Sequence, residues 1–482
     1  MKAWPKRKPW PADAAKEGRA DAAKEGRAVA KPSDWAKTMH GDVWKKIAGD
    51  HVWIAEVRLV CRDWARGMAE AVHKLPRTIA RSDIAPLLAF AYLRDLRLGH
   101  PIEDEQLEVL GGLKRLTDLK INGANLDDAD ALRAVLGSLE HLRRLAIAGC
   151  ACVEPSVLAG LPVGLVDLTL RGCHGSQLPL DLSSLRHLGR LACLRIYAFF
   201  GKKDCLRSVA GLEGNAALST LVLTGTLGPK FSEASVGLLT GLESLTIDRA
   251  GVAKHLHALP RLTALDLSEA LRCFEDADIK DVRKLVRLTS LCLPGSDVCA
   301  GPVLAAALRR LTALTSLELS TDDNEVLGAV KSMRSLRKLD AYVLQDRWWP
   351  EFQGSAVFCD LTELYIHDQG LNGDMLHWLL DNLWLAHLCA VINMRPRSEV
   401  WQRPPRHVDS LTSLDYRFYD TSSGQVLVER MRARLEALYP LAGLLSVTLP
   451  KHTERMCREE AGPVDAIESL KARGVDVKHS PW

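Results

Sequence analysis

A six-residue phrase, L-x-x-L-x-L, recurs along the chain from Leu93 to Leu444. Apolar residues occupy its first, fourth and sixth places, and polar or small residues occupy most of the others. The last three places alternate as in a short β-strand that buries one face. The phrase therefore predicts a series of short strands that share one core. Its 15 copies start at Leu93, Leu116, Leu142, Leu165, Leu191, Leu218, Leu242, Leu262, Leu288, Leu314, Leu336, Leu361, Leu385, Leu411 and Leu444.

Most copies begin 20 to 27 residues after the preceding one. The segments between them, such as D-A-L-R-A-V-L-G-S-L, have the apolar spacing of a helix and would cover the outer side of the strands. A fixed period in this range is the sequence signature of a leucine-rich-repeat solenoid. The fold class is thus predicted to be α/β, with a curved parallel sheet inside and helices or turns outside. Stacked repeats share one core of any length, so 482 residues need not form several globular domains.

The turn after each strand departs from the common repeat pattern. An asparagine is usual three places after the last strand residue, where its side chain bonds to neighbouring backbone. Other residues mostly stand there in this chain: Ala124, Cys150, Cys173, Phe199, Thr226, Ala250, Ala270 and Ser296. We expect cysteine, threonine, serine or water to supply part of the missing bonds, and the turns to be irregular.

The pattern divides the chain into four regions. Residues 1–32 form a basic tail with few large aliphatic side chains, which we expect to be disordered. Residues 33–75 form a helical module, residues 76–450 a solenoid of about 15 repeats, and residues 451–482 a C-terminal cap. In the cap, a helix should begin at Pro463 and end near Gly474, and a last strand should include Val475 to Val477.

Three segments of the predicted solenoid break its period. They are residues 345–357, which contain Trp348 and Trp349, the proline- and arginine-rich residues 393–408, and the long interval from Leu411 to Leu444. A helix is predicted in that interval over about residues 425–439. The copy of the phrase at Leu385 is also irregular, because Ala390 occupies its sixth place.

The module at residues 33–75 lacks the phrase but carries tryptophans and aliphatic residues at helical spacings. Its segments D-V-W-K-K-I, at Asp42–Ile47, and R-L-V-C-R-D-W, at Arg58–Trp64, resemble the F-box motif. The resemblance covers about 25 to 45 residues, with Met39 and His40 in place of the usual Leu-Pro and a connecting span about two residues short. An F-box before leucine-rich repeats is a common arrangement. The alternative is a helical cap that shields the apolar end of the first repeat.

The F-box resemblance implies a substrate-recognition subunit of an SCF-type ubiquitin ligase. In that family the helical module binds a Skp1-like protein, the repeats bind a target, and the chemistry resides in the partners. The residues that would form the docking surface and the module core are Val43, Trp44, Ile47, Val57, Val60 and Trp64. A leucine-rich-repeat scaffold or an effector protein, without ubiquitin-ligase association, is the alternative.

Target binding is expected on the concave face, which the outward residues of the strands form. These residues are small or mixed in the first repeats and acidic around the middle, at Asp248, Asp266, Glu269 and Glu318. Tyrosine and arginine, which follow later, are enriched at binding hot spots. The predicted target-binding patch comprises Asp340, Tyr342, Tyr365, His367, Arg417 and Phe418. Packing of the tyrosines across neighbouring strands is the alternative.

Composition restricts the possible partners and the compartment. A net charge of +3 gives no overall field for nucleic acid or an anionic membrane, and neither is predicted as a partner. No apolar run is long enough to span a bilayer, and the N-terminus does not resemble a secretory signal. The 12 cysteines include no C-x-x-C pair, and several lie within the repeats. We therefore expect an intracellular protein, cytoplasmic or nuclear.

Catalytic motifs are scarce. The phosphate-binding loop, zinc-protease and serine-hydrolase motifs do not occur, so no catalytic, cofactor-binding or metal-ligating residues are predicted. Cys61 and Asp63 form a C-x-D similar to the active-site motif of bacterial ubiquitin ligases with leucine-rich repeats. Those enzymes carry it in a large helical domain, whereas only about 60 residues, 33–92, are available here. We therefore interpret Cys61 as a buried helix residue and the chain as not an enzyme.

Overall fold

The computed structural model describes Ile84, Leu87, Leu88, Phe90 and residues 92–173, 180–197, 206–225, 227, 230–270, 275–294, 300–321, 323–341, 360–371, 373–392, 407, 410–417, 444, 446–449 and 464–479. The basic tail, the F-box-like module and Cys61 lie outside this part of the chain. The predicted period break at residues 345–357 also lies outside it, and so does the break at residues 393–408 apart from His407. The helix predicted over about residues 425–439, within the long interval, lies outside it as well.

Sixteen parallel strands are described, and their order in the sheet is their order in the chain. In a first compact unit, residues 1–152 and 160–165, the strands are β1 (Asp95–Glu103), β2 (Asp118–Asn125) and β3 (Arg144–Ala148). In the second, residues 153–159 and 166–482, they are β4 (Asp167–Arg171), β5 (Cys193–Tyr197), β6 (Thr220–Thr224), β7 (Ser244–Ile247), β8 (Ala264–Asp266), β9 (Ser290–Cys292), β10 (Ser316–Leu319), β11 (Lys338–Ala341), β12 (Glu363–Leu371), β13 (His387–Ile392), β14 (Ser413–Arg417), β15 (Ser446–Leu449) and β16 (Asp476–His479).

The chain between strands forms helices. The first unit holds α1 (Asp104–Gly112) and α2 (Ala129–Ser138), and the second holds α3 (Pro155–Ala159), α4 (Asp276–Val282), α5 (Gly301–Leu308), α6 (Asn324–Lys331), α7 (Gly373–Asn382) and α8 (Val464–Ala472). Short 3-10 helices occupy Leu182–Leu185, Ala210–Leu212, Glu233–Leu238 and Ala250–Ala258. A 3-10 helix rises about 2.0 Å per residue against 1.5 Å for an α-helix. It therefore spans the outer side of these repeats with fewer residues than an α-helix would need.

The apolar places of the phrase form the core. Leu242, Leu245 and Ile247 are fully buried, and the same places are buried in the other repeats wherever the structure describes their side chains. The irregular copy at Leu385 also forms its strand, because Leu388 and Ala390 of β13 are both fully buried. Buried phrase residues on parallel strands in chain order confirm the predicted leucine-rich-repeat solenoid.

The predicted closing elements are present. Helix α8 starts directly after Pro463, and Gly474 follows its end with φ of 82°. This left-handed conformation costs glycine little and reverses the chain after a helix. Val475 then leads into β16, which pairs in parallel with β15.

Small side chains fill the positions at which asparagine is usual. Cys150, Cys173, Ala250 and Ala270 are buried there, and the thiol of Cys173 donates to the carbonyl of Arg171 at 3.7 Å. A cysteine therefore supplies one of the replacement bonds, as expected. The turn itself depends on glycine, because Gly172 has φ of 59° directly before Cys173.

A second set of bonds, not expected from the sequence, lies where the strands begin. In the second unit, the hydroxyls of Thr263, Thr289 and Thr315 donate to the carbonyls of Glu243, Thr263 and Thr289 at 3.2, 3.2 and 3.1 Å. Thr362 and Thr412 bond in the same way to Arg337 and Ala386. Each threonine holds the second place of its phrase, so these hydroxyls form a threonine ladder that ties the five repeats carrying them to the repeats before them.

Replacing Thr289 with valine should lower the free energy of unfolding by about 0.5–1 kcal/mol, since one hydroxyl bond of typical net strength is lost at nearly constant volume. Urea unfolding of the full chain measures this. The matched control is Thr246→Val, a threonine on the solvent-facing side of β7. Equal losses in both variants would contradict a role for the ladder.

Candidate functional site

The solvent-facing side of strands β8–β14 carries continuous rows of side chains. Consecutive strands pair in register, about 4.8 Å apart, so residues at the same place of the phrase lie side by side. We call the fifth-place residues the central row: Asp266, Cys292, Glu318, Asp340, Tyr365 and Cys389. The third-place residues form the flanking row: Ala264, Ser290, Ser316, Lys338, Glu363, His387 and Ser413.

One end of the central row is acidic. Burial, and then the negative charge of Asp340, raise the pKa of the Glu318 carboxyl above its ordinary value of 4.5. Burial and the charges of Asp266 and Glu318 raise the pKa of the Cys292 thiol above its ordinary value of 9.0. Cys292 is therefore protonated at neutral pH and hydrogen-bonds to Glu318. The site gathers negative charge and holds a thiol that is a poor nucleophile.

The other end of the described row centres on Tyr365. The ammonium group of Lys338 lies 4.8 Å from the centre of the Tyr365 ring, and the His387 ring lies 5.0 Å from it. The tyrosine hydroxyl donates to Glu363 at 3.4 Å. Burial, and then the Glu363 carboxylate, raise the pKa of Tyr365 to about 12, so its hydroxyl stays neutral at physiological pH. A cation, a carboxylate, an imidazole and a phenol thus meet on one surface.

The structure brings together two of the six residues of the predicted target-binding patch. Asp340 and Tyr365 are register partners on β11 and β12. Asp340 is less accessible than expected, at 9% exposed. His367 and Arg417 lie in β12 and β14, but their side chains are outside the described part, as are Tyr342 and Phe418 entirely. The six residues proposed to dock a Skp1-like protein are also outside it.

Asp248, predicted to add to the acidic face, has a structural task. One of its carboxylate oxygens accepts from the backbone N–H of Gly225 at 2.7 Å, where glycine has φ of 64°. The other oxygen is buried and has no hydrogen-bond partner among the described residues. Burial raises the pKa of Asp248 above its ordinary value. This carboxylate holds the turn after β6.

Sequence reasoning missed several members of the rows. Lys338, Glu363 and His387 surround Tyr365 but occupy the third place of their phrases, whereas the acidic and aromatic residues singled out lie mostly at the fifth place or beyond. The third and fifth places of every phrase both point outward, and considering both of them identifies these residues from the sequence alone. Cys292 and Cys389 share the fifth place and fall in the central row by the same rule.

Two other kinds of site do not occur among the described residues. Within the described ranges, no three histidine, cysteine, aspartate or glutamate side chains are arranged to hold a metal ion. No helix in that part of the chain has the length and apolar character needed to cross a bilayer. The rows on the strands therefore remain the candidate site.

No protein-family model matches the chain, and no curated protein matches it. Solved structures do show similarity. An internalin (inlF) from Listeria monocytogenes str. 4b F2365 is 21% identical, with a TM-score of 0.38, over 63% of this chain and 89% of that one. A leucine-rich-repeat protein of Leptospira interrogans, LIC12759, is 17% identical, with a TM-score of 0.41, over 86% of this chain and 97% of that one.

The chain is also similar to TLR13 in a TLR13–ssRNA13 complex, at 17% identity and a TM-score of 0.36. That match covers 75% of this chain and 58% of the TLR13 chain. The leucine-rich-repeat fold assigned to this chain rests on its own strand order and buried phrase residues.

Replacing Glu318 with glutamine should make the protein progressively more stable than the wild type as pH rises from 4 to 7. The folded state raises the pKa of this carboxyl, so its contribution to stability is fully present below about pH 4.5 and is lost as it ionises. Glutamine keeps the shape and never ionises. Urea unfolding at several pH values gives the difference, and a difference that does not change with pH would contradict the raised pKa.

Proposed function

We propose that the chain is a non-catalytic protein-interaction adaptor, the substrate-recognition subunit of an SCF-type ubiquitin ligase. Its N-terminal helices bind a Skp1-like protein, and its solvent-facing rows bind a protein target. The observation that carries the proposal is the order of parts along the chain: the F-box-like segments Asp42–Ile47 and Arg58–Trp64 precede a sheet of parallel strands.

The rows are suited to protein recognition. A strand platform holds its side chains at fixed spacing, so a partner meets a surface that needs little ordering on binding. Tyr365 combines a large apolar ring with a neutral donor, as binding hot spots often do. Lys338 and Glu363 beside it offer charges of both signs, which favours selection of a partner by complementary charge.

A second candidate is an interaction scaffold or effector without ubiquitin-ligase association. The departures from the F-box pattern at Met39 and His40 favour it, because the usual Leu-Pro is absent there. In that case the helices only shield the apolar end of the first repeat. The two candidates share the binding face and differ in the need for a Skp1-like partner.

Binding of the purified full chain to Skp1 separates them. The adaptor should bind Skp1, and the double variant Trp44→Ala, Val60→Asp should abolish binding, since it removes an aromatic anchor and places a charge in the docking surface. Isothermal titration calorimetry measures both. The matched control makes the same two changes on exposed solenoid residues, Trp384→Ala and Val163→Asp, which are 59% and 68% exposed in the wild type.

The control should bind Skp1 as the wild type does. Absence of binding by the intact protein would reject the adaptor in favour of the scaffold. Equal loss in the control would show that the double variant acts through general destabilisation.

A further inference from the structure

The four turns that lead into β8–β11 lie along one edge of the sheet, because parallel strands begin at the same edge. These turns, residues 255–263, 281–289, 307–315 and 331–337, are named here the strand-start edge. Backbone bonds join them in sequence: Thr289 donates to Thr263, Thr315 to Thr289 and Arg337 to Thr315, each at 2.8 Å. The Arg287 guanidinium also donates to the carbonyl of Pro260 at 2.8 Å, from one turn to the next.

The strand-start edge is strongly basic. Its exposed cationic residues are Arg261, Lys284, Arg287, Arg309, Arg310, Arg334 and Arg337. The four turns contain one acidic residue, Asp281, and it is already paired with Lys284 at 2.5 Å. The other six cations form no ion pair with any residue that the structure describes, although Arg287 donates to Pro260. The edge therefore presents about six positive charges that the fold itself does not neutralise.

Stability of the fold does not account for this excess. A cation in the last turn of a helix offsets the helix dipole, and Arg309 at the end of α5 fits that explanation. Arg261, Arg334 and Arg337 lie beyond the helix ends, next to the strands, whereas Arg287 also serves the fold through its bond to Pro260. Like charges on neighbouring turns repel one another, so this arrangement works against the stacking of the repeats.

The same four repeats carry the opposite charge elsewhere. Their strands supply Asp266, Glu318 and Asp340 to the central row, about one strand length from the cations. Positive and negative charges are thus separated within one stretch of the sheet, although the whole chain carries only +3. A local field of this kind steers a charged partner to one edge.

We propose that the strand-start edge of β8–β11 binds an acidic segment of a protein partner, rich in aspartate and glutamate. The inference deepens the proposed interaction function, on which it rests, by naming a second surface and the chemistry of its partner. Arginine forks match carboxylates in bidentate geometry, which suits six arginines among seven cations. Val286, 55% exposed between these charges, offers an apolar contact to the same segment.

The composition of the edge favours an acidic protein segment over other polyanions. Surfaces that bind single-stranded nucleic acid stack the bases on aromatic side chains. Segments that anchor at a membrane surface insert tryptophan, phenylalanine or leucine between lipids. The four turns contain no tryptophan, tyrosine or phenylalanine, and their leucines are buried. Carboxylate recognition needs none of these residues.

The test uses the full chain and a fluorescent peptide of aspartate and glutamate with one central leucine. Fluorescence anisotropy at about 0.15 M salt should show binding that weakens as salt rises. The variant Arg261→Glu, Arg310→Glu, Arg334→Glu, Arg337→Glu should weaken binding by about tenfold or more, since four attractive pairs become repulsive. Glutamine at the same four positions should weaken it to a smaller extent.

The control reverses four exposed cations outside these turns, Arg186, Arg190, Lys230 and Lys280, and so makes the same change in net charge. It should bind the peptide within about twofold of the wild type. Two parallel titrations use poly(U) RNA and phosphatidylserine vesicles. Tighter binding to either one than to the peptide, equal loss in the control, or no loss in the first variant would overturn the proposal.

Skp1 binding separates this proposal from the preceding one. The edge variant should bind Skp1 normally, and the Trp44→Ala, Val60→Asp variant should bind the acidic peptide normally. If the acidic-peptide results contradict the strand-start edge but Skp1 binding is as expected, only the proposed edge site is rejected. Failure of Skp1 binding with intact peptide binding rejects the adaptor alone.

Discussion

The hydrogen-bonded parallel ladder between successive repeats determines the rest of this structure. Each strand must satisfy its backbone groups on the neighbouring strands, and in β8–β11 it does so with the same places of the phrase as register partners and the apolar places buried. The carbonyl of Thr263 shows how closely the repeats are tied, because it accepts from the backbone of Thr289 and Ser290 and from the Thr289 hydroxyl. Because the same places of the phrase are register partners on neighbouring strands, side chains that recur along the sequence lie next to one another in rows.

The rows explain both the chemistry and its limits. Burial and the neighbouring Asp340 carboxylate raise the pKa of Glu318, and the Cys292 thiol, buried beside Asp266 and Glu318, stays protonated. Such a surface does not activate a nucleophile, and in the proposed function it selects a partner by charge and shape. The same register also collects cations at the edge of β8–β11, so one short stretch of the sheet offers two surfaces of opposite sign.

The phrase predicted the strands because its apolar places mark the buried face of each strand. Helix α8 and its end at Gly474 were predicted from ordinary helix-start and helix-end residues. Other features depend on neighbours that are distant in sequence. The choice of a 3-10 helix at Ala250–Ala258 reflects the length of that repeat, and the threonine ladder appears only when repeats are stacked. Asp340 reads as an outward residue, yet Glu318 and Tyr365 beside it leave little of it exposed. The edge cations were hidden because they come from four turns, with the cations of each turn more than 20 residues from those of the next, in a nearly neutral chain.

The central claim is that successive strands lie in register, so that fifth-place residues are direct neighbours. Disulfide trapping tests it with the native Cys292 and one introduced cysteine. The variant Glu318→Cys changes the register partner of Cys292, and under mild oxidation its new thiol should form a disulfide with Cys292, which peptide mass spectrometry identifies. Ser316→Cys, two places earlier on the same strand, should cross-link much less. Equal or preferred cross-linking at position 316 would contradict the register and, with it, the rows on which the proposed binding surfaces depend.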